Sequence, residues 1–310
     1  MPIDRPTLKG RLKRVARALL RPGGSLPTYT SRMLHLHDIG TLHRAALEDA
    51  CRRDASPVYL GDHIGLCRIL GRYKFHVDTR DSGFGANILL DGYWELWLTQ
   101  FMARSVGRGA IVVDVGANYG YYSLLLADLV GPAGHVYAIE PNPAAAGLLR
   151  RSIGLNGFDA RTTICEVAAG ATDGGTATLF VPDGEPKNAA ILPDQAASPM
   201  RGAAHHVPVA TLDSLLTAHP RIDFIKIDAE GAEQGIIAGL ARTLAIHRPD
   251  MVLEFNAARY ADPAAFLAEL TALYGSLRHV DFTGNAMAIT PERVLTEQFG
   301  DDWLLFFSAA

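Results

Sequence analysis

Ile111-Val112-Val113-Asp114-Val115-Gly116-Ala117-Asn118-Tyr119-Gly120 is an apolar run that stops at glycines and is followed by a helix-like segment. Ile111 to Val115 is short, β-branched and apolar, as a strand buried on both faces of a parallel sheet must be. Gly116 and Gly120 supply positions without a Cβ where the chain turns sharply, and Tyr121 to Asp128 reads as the returning helix. A strand, a glycine loop and a helix in this order expose backbone N–H groups on which a small polar ligand group can sit.

A second strand, His135 to Ile139, ends in Glu140 and is stopped by Pro141-Asn142-Pro143. In doubly wound folds an acid roughly 20 residues beyond the first loop glycine accepts hydrogen bonds from ribose hydroxyls. An adenosine-type ligand is therefore expected. The dehydrogenase fingerprint G-x-G-x-x-G is incomplete here, and a carboxylate at Asp114 would repel a pyrophosphate. Asp114 suits a cofactor without phosphate and with a cationic centre. S-adenosylmethionine has an ammonium, a sulfonium and a free ribose, so methyl transfer is favoured over hydride transfer.

A second constellation follows far along the chain. Phe224-Ile225-Lys226-Ile227-Asp228-Ala229-Glu230-Gly231-Ala232-Glu233 is an apolar strand running into an acidic turn and then a helix from about Ala232 to Leu240. Ligands in open α/β sheets bind beyond the carboxyl ends of strands, so Lys226, Asp228 and Glu230 should face the crevice of Asp114 and Glu140. Glu233, at a helix start, is equally explained by the macrodipole.

Taken in order, Asp114-Val115-Gly116-Ala117-Asn118-Tyr119-Gly120-Tyr121-Tyr122-Ser123, Glu140-Pro141-Asn142-Pro143, Thr211-Leu212-Asp213-Ser214-Leu215 and Ile222 to Glu233 resemble the motifs of the FkbM-type methyltransferases, over roughly residues 90 to 256. The resemblance implies an α/β class I methyltransferase (Rossmann-like) fold, with a mostly parallel seven-stranded sheet and helices on both faces. It implies methyl transfer from S-adenosylmethionine to an oxygen, usually a hydroxyl of a sugar, lipid or polyketide-like acceptor. Carried over by position, Asp114, Gly116, Asn118 and Gly120 would surround the methionine part of the cofactor. Glu140 would hold the ribose with Asn142 beside it, Glu166 would lie on the adenine side, and Glu95 would make a contact ahead of the first core helix.

Asp228 and Glu230 would lie where the methyl points, as candidates for taking or orienting the acceptor proton. A competing base is His206, one of the pair His205-His206; neighbours on a strand face opposite sides, so at most one of the two can reach the site. No metal is assigned, although Asp228 and Glu230 have the chemistry to hold one with water. Two alternatives use the same sheet: a nicotinamide-dependent (NAD) oxidoreductase, and a non-catalytic cofactor-binding subunit of a glycan assembly system.

At 310 residues, 48% hydrophobic and 20% charged, the chain can bury a full α/β core. A net charge of −4 offers no general attraction to phosphate, which argues against a nucleic acid substrate and leaves a small-molecule or glycan hydroxyl as acceptor. Three cysteines without paired spacing fit a reducing cytoplasm. Residues 1–25 read as a basic amphipathic segment and linker, suited to weak peripheral contact with anionic lipid. Residues 26–90 form an N-terminal extension with a helix over about 31–60 and a strand-like run over 66–78. Residues 91–310 are the catalytic domain, with a Pro- and Gly-rich insertion at 182–204 expected to act as a lid over the acceptor, offering Lys187 and Asn188. Oligomeric state has no signature in the sequence.

Overall fold

In the computed structural model, which describes residues 33–192, 201–297 and 300–309, the expected strands sort their side chains by parity. The basic segment expected over 1–25 lies outside the described residues, as does 193–200 of the insertion. Residues 34–310 form one unit.

The segment expected to be helical over 31–60 is two short helices, Leu36–Thr41 and Arg44–Asp54, followed by strand β1, Val58–Gly61. The helix ends where Ser56 turns left-handed at φ 42° ahead of Pro57, and a proline restricts the residue before it to non-helical backbone. The strand-like run is β2, Ile64–Ile69, and β3, Tyr73–Asp78, reversed at Leu70-Gly71. The three strands form a small antiparallel sheet.

The main sheet begins with β4, Ile111–Val115, β5, His135–Ile139, and β6, Thr162–Cys165. An insertion then builds its own four-stranded sheet from β7, Ala168–Ala169, β8, Thr176–Pro182, β9, Ala190–Leu192, and β10, Gly202–Ala210, in the order β7-β10-β8-β9. Thus the described part of the segment expected as an irregular lid includes a strand, β9, paired with β8. The main sheet resumes with β11, Phe224–Ile227, β12, Asp250–Phe255, β13, Arg278–Val280, β14, Ala286–Ala288, and β15, Trp303–Phe307. Its order is β14-β13-β15-β12-β11-β4-β5-β6: β12, β11, β4, β5 and β6 are parallel, and β15 is antiparallel to β12 and β13. Eight strands stand where seven were expected. The extra strand, β14, returns antiparallel to β13 across a turn in which Asp281 Oδ1 accepts the N–H groups of Thr283 and Asn285.

Because strand side chains alternate, Val112, Val136, Phe224, Val252 and Phe306 enter one buried layer, while Val113, Val115, Ile139, Ile225, Ile227, Leu253 and Leu305 enter the other. Truncating one such side chain to alanine typically costs about 2–5 kcal/mol. Helices Tyr121–Val130 and Pro143–Leu155 supply much of the first layer, and Pro263–Tyr274 much of the second. Among the described residues no helix is long and apolar enough to cross a membrane.

Two glycines have separate steric reasons. Gly116 has φ +73°, and a Cβ there would fall 1.8 Å from the Asp228 carbonyl oxygen, so the loops after β4 and β11 touch backbone to backbone. Gly120 has φ +96°, and its Cβ would meet Leu149 Cδ1 at 2.4 Å. It is there to let two helices approach.

Candidate active site

A cavity of about 470 Å³ opens at the carboxyl ends of the parallel strands, where backbone leaves the sheet and side chains from several loops converge. On one side the backbone of Gly116, Ala117 and Asn118 lines it, with Glu140, Pro141 and Asn142. Glu140 Oε2 accepts the Asn118 N–H at 2.7 Å and Oε1 accepts the Asn142 N–H at 2.8 Å, so this carboxylate ties together the loops after β4 and β5. Asn142 caps the following helix by accepting the Ala144 N–H at 3.0 Å. Burial pushes the Glu140 carboxyl up to about 7 against the opposing pull of these two N–H groups.

Phe84, Trp94, Tyr121 and Tyr122 give the cavity an aromatic wall. Glu95 sits beside it in left-handed backbone, φ 36°, and accepts the Tyr122 hydroxyl at 2.8 Å. Burial, then repulsion from Asp228, moves its carboxyl up to about 7. From the insertion, Lys187 lies 5.5 Å over the Trp94 ring, and it lines the cavity with Asn188. Ser82 donates its N–H and hydroxyl to Gly184 O, which holds the insertion against the loop after β3.

The other end is acidic. Asp228, Glu230, Glu254 and Asp302 meet two cations, Lys226 and Arg259. Lys226 is 2% exposed. Register explains its position: Lys226 pairs with Asp114 across β11 and β4, so both side chains leave the same face of the sheet. Its Nζ lies 3.6 Å from Asp114 Oδ1, 3.2 Å from Asp228 Oδ2 and 5.3 Å over the Tyr122 ring. Burial works against this ammonium, but Asp228 and Asp114 outweigh it and raise its pKa. Arg259 donates to Glu254 at 2.8 Å and to Glu230 at 2.9 Å, and lies 3.3 Å from Asp302. Burial first, then repulsion from Asp228, lifts Glu230 to about 7, and burial with three neighbouring acids lifts Glu254 well above the usual carboxylate range. Oxygens of Asp228, Glu230 and Glu254 lie within 4.8 Å of one another, close enough to clasp a cation. Lys226 and Arg259 already compensate that charge from within the protein.

Of the residues singled out in the sequence, Glu95, Gly116, Asn118, Glu140, Asn142, Asp228 and Glu230 line this cavity together. Four others do not. Asp114 is wholly buried behind the wall, accepts the Ser123 hydroxyl at 2.6 Å, and reaches the cavity only through Lys226. Gly120 belongs to the helix contact with Leu149. Glu166 turns outward to pair with Arg150, and the wall there is Ala168 and Ala169. His206 lies exposed on β10 opposite Thr178 and His205 exposed opposite Leu179, and neither lines the cavity. Glu254, Arg259 and Asp302 escaped the reading, although an acid inside the otherwise apolar run Met251 to Phe255 was a visible signal for the first.

The sequence profile described as the methyltransferase FkbM domain matches residues 114–282, more than half of the chain. Shorter stretches are similar to protein-L-isoaspartate O-methyltransferases: 39% identity over 62 residues with the Ignicoccus hospitalis protein, and 48% over 50 with that of Aeropyrum pernix. These stretches cover 20% and 16% of this chain, and 29% and 19% of those proteins, so the match spans under a third of the relatives' length. Among solved structures, the methyltransferase FkbM from Methylobacillus flagellatus KT aligns at TM-score 0.43 and 20% identity, over 71% of this chain and 52% of that one. A precorrin-6y C5,15-methyltransferase from Geobacter metallireducens GS-15 aligns at TM-score 0.39 and 15% identity, over 70% and 88%. The profile match carries the assignment and sets aside the oxidoreductase alternative: this chain belongs to the FkbM methyltransferase domain family.

Proposed function

We propose that the protein is an S-adenosylmethionine-dependent O-methyltransferase acting on a hydroxyl of a small molecule or glycan, with sugar, lipid and polyketide-like acceptors as the candidate classes. S-adenosylmethionine, when bound, supplies a methyl group on a sulfonium already activated for displacement. The residues present fit such a donor: Glu140 for a ribose, the Gly116–Asn118 backbone for the methionine part, and the carboxylate of Glu95 for a cation beside an aromatic wall.

On this reading the observation that supports the function is that Asp228 and Glu230 line the same cavity as Glu140, with the Asp228 carbonyl against Gly116. Asp228, pinned by Lys226, accepts a hydrogen bond from the acceptor O–H and orients it. Glu230, whose carboxyl burial and Asp228 raise to about 7, is poised to take that proton from the acceptor oxygen near neutral pH. Positioning and exclusion of water supply most of the acceleration. A nucleic acid acceptor is disfavoured by the net charge of −4 and by the acidic rim.

The test is methyl transfer from labelled S-adenosylmethionine to a panel of cell-derived glycans and lipids. Glu230→Gln is expected to lower kcat by about 10²–10⁴-fold with donor affinity little changed. Donor binding that is absent in the wild type, or kcat unmoved in both Glu230→Gln and Asp228→Asn, overturns the proposal.

A further inference from the structure

A second cavity, of about 530 Å³, adjoins the first and differs from it in character. It runs along the helix Glu233–Ala238, whose residues Gln234, Gly235 and Ala238, with Gly231 just before the helix, recur at helical spacing. Opposite them stand the small side chains of β7 and β8 with Ile191 and Val209. Among the described residues no carboxylate lines this trough, whereas the first cavity carries five acids besides Glu140: Glu95, Asp228, Glu230, Glu254 and Asp302.

The two spaces share part of their wall. Ala168, Ala169, Ile191, Ala232 and Arg259 line both. Two loops cross from one to the other in a single step: Glu230 lines the first cavity and Gly231 the trough, and Arg259 faces both while Tyr260 faces the trough alone. Tyr260 is fixed there by donating its hydroxyl to Glu233 at 2.8 Å. The junction therefore falls at Glu230 and Arg259, the acceptor end of the proposed site.

We infer that the trough is the subsite for an apolar extension of the acceptor. The substrate is then amphipathic, with a hydroxyl-bearing head held among the carboxylates and an aliphatic chain lying along the helix Glu233–Ala238. The inference rests on the proposed methyltransfer reading, since it takes the Glu230 end as the place where the hydroxyl reacts. Room exists for the chain: a Cβ added at Gly235 comes no nearer than 4.0 Å to Ala171 N, and Ala238 is exposed.

The experiment measures binding of methyl, n-hexyl and n-octyl β-D-glucopyranoside, below micelle formation, to the full chain saturated with S-adenosylhomocysteine. Each added methylene buried in the trough favours binding, so the octyl compound should bind at least about tenfold more tightly than the methyl one. Ala238→Trp and Gly235→Leu, which fill the trough from an exposed and a half-buried position, should each remove most of that gain. Equal affinity across the series, or a gain that survives both substitutions, overturns the inference. Binding of S-adenosylhomocysteine, titrated first, separates the outcomes: its absence fails the methyltransfer reading, and its presence without chain-length dependence fails the trough alone.

Discussion

Replacing Lys226 with methionine tests whether the buried ammonium holds the two motif strands in one electrostatic unit. Lys226 is 2% exposed and Asp114 0%, and their charged atoms lie 3.6 Å apart. At an effective dielectric near 20 that separation corresponds to an attraction of about 5 kcal/mol, before the cost of burying both groups. Removing one partner leaves the other charge uncompensated, and such losses run to about 3–5 kcal/mol. Lys226→Met should therefore lose about that much unfolding free energy near pH 8, measured by urea denaturation followed by circular dichroism. The deficit should have a definite pH dependence. Burial raises the Asp114 carboxyl while Lys226 and the Ser123 hydroxyl pull it down, so removing the lysine raises it further. A carboxyl raised in the native state contributes stability below its unfolded value, lost as pH rises through the folded one, so the deficit shrinks toward pH 5. The double variant Asp114→Asn/Lys226→Met removes both charges and should recover most of the loss. A single variant within about 1 kcal/mol of wild type, or a double variant no better than the single, would refute this account.

Gly116→Ala should destabilise by more than about 2 kcal/mol, because its Cβ collides with the Asp228 carbonyl at a left-handed backbone position, whereas Gly107→Ala, with open space around the added Cβ, should be neutral or slightly stabilising. Equal thermal stability of the two would contradict it. Glu95, Glu140 and Glu230 are each raised to about 7 from 4.5, and Glu254 to about 9, so the stability they contribute is fully present below about 4.5 and falls as pH rises through 7 and then 9. A cationic donor bound near Glu95 and Glu140 favours their charged forms and should release protons at pH 7, seen by calorimetry in buffers of different ionisation enthalpy; proton uptake would count against it. His206→Ala should leave turnover within about twofold of wild type, given its exposed place on β10, and a loss of tenfold or more would return it to the site.

The strands that position the site were legible because each is an apolar run with a sharp end. β4 and β5 fall on the expected residues, 111–115 and 135–139. The acids after β5 and β11 were legible for the same reason, since a chain leaving a buried strand delivers its next polar residues to the crevice. Parity was the information that misled at Asp114. It lies one residue inside the strand, wholly buried against Ser123 and Lys226, and only Lys226 of that register pair lines the cavity. Glu254 follows the same rule in the opposite sense: it shares parity with Val252, the register partner of Lys226, but lies two residues further on, where the face opens. Arg259 offered little beforehand, because its role depends on Glu230, Glu254 and Asp302 converging from three separate segments. Glu166, just after β6, pairs with Arg150, and His206 is exposed on β10; neither lines the cavity, because sequence gives the strand and not which side chains turn to solvent.

The contact between Gly116 and the Asp228 carbonyl makes a hinge between the two motif loops impossible without parting them. Any rearrangement that admits a bulkier acceptor near Asp228 must carry the glycine loop with it. Directed evolution of acceptor range should accordingly find its permissive changes away from that contact, on the insertion sheet, and disturb both motif loops together whenever it ventures closer.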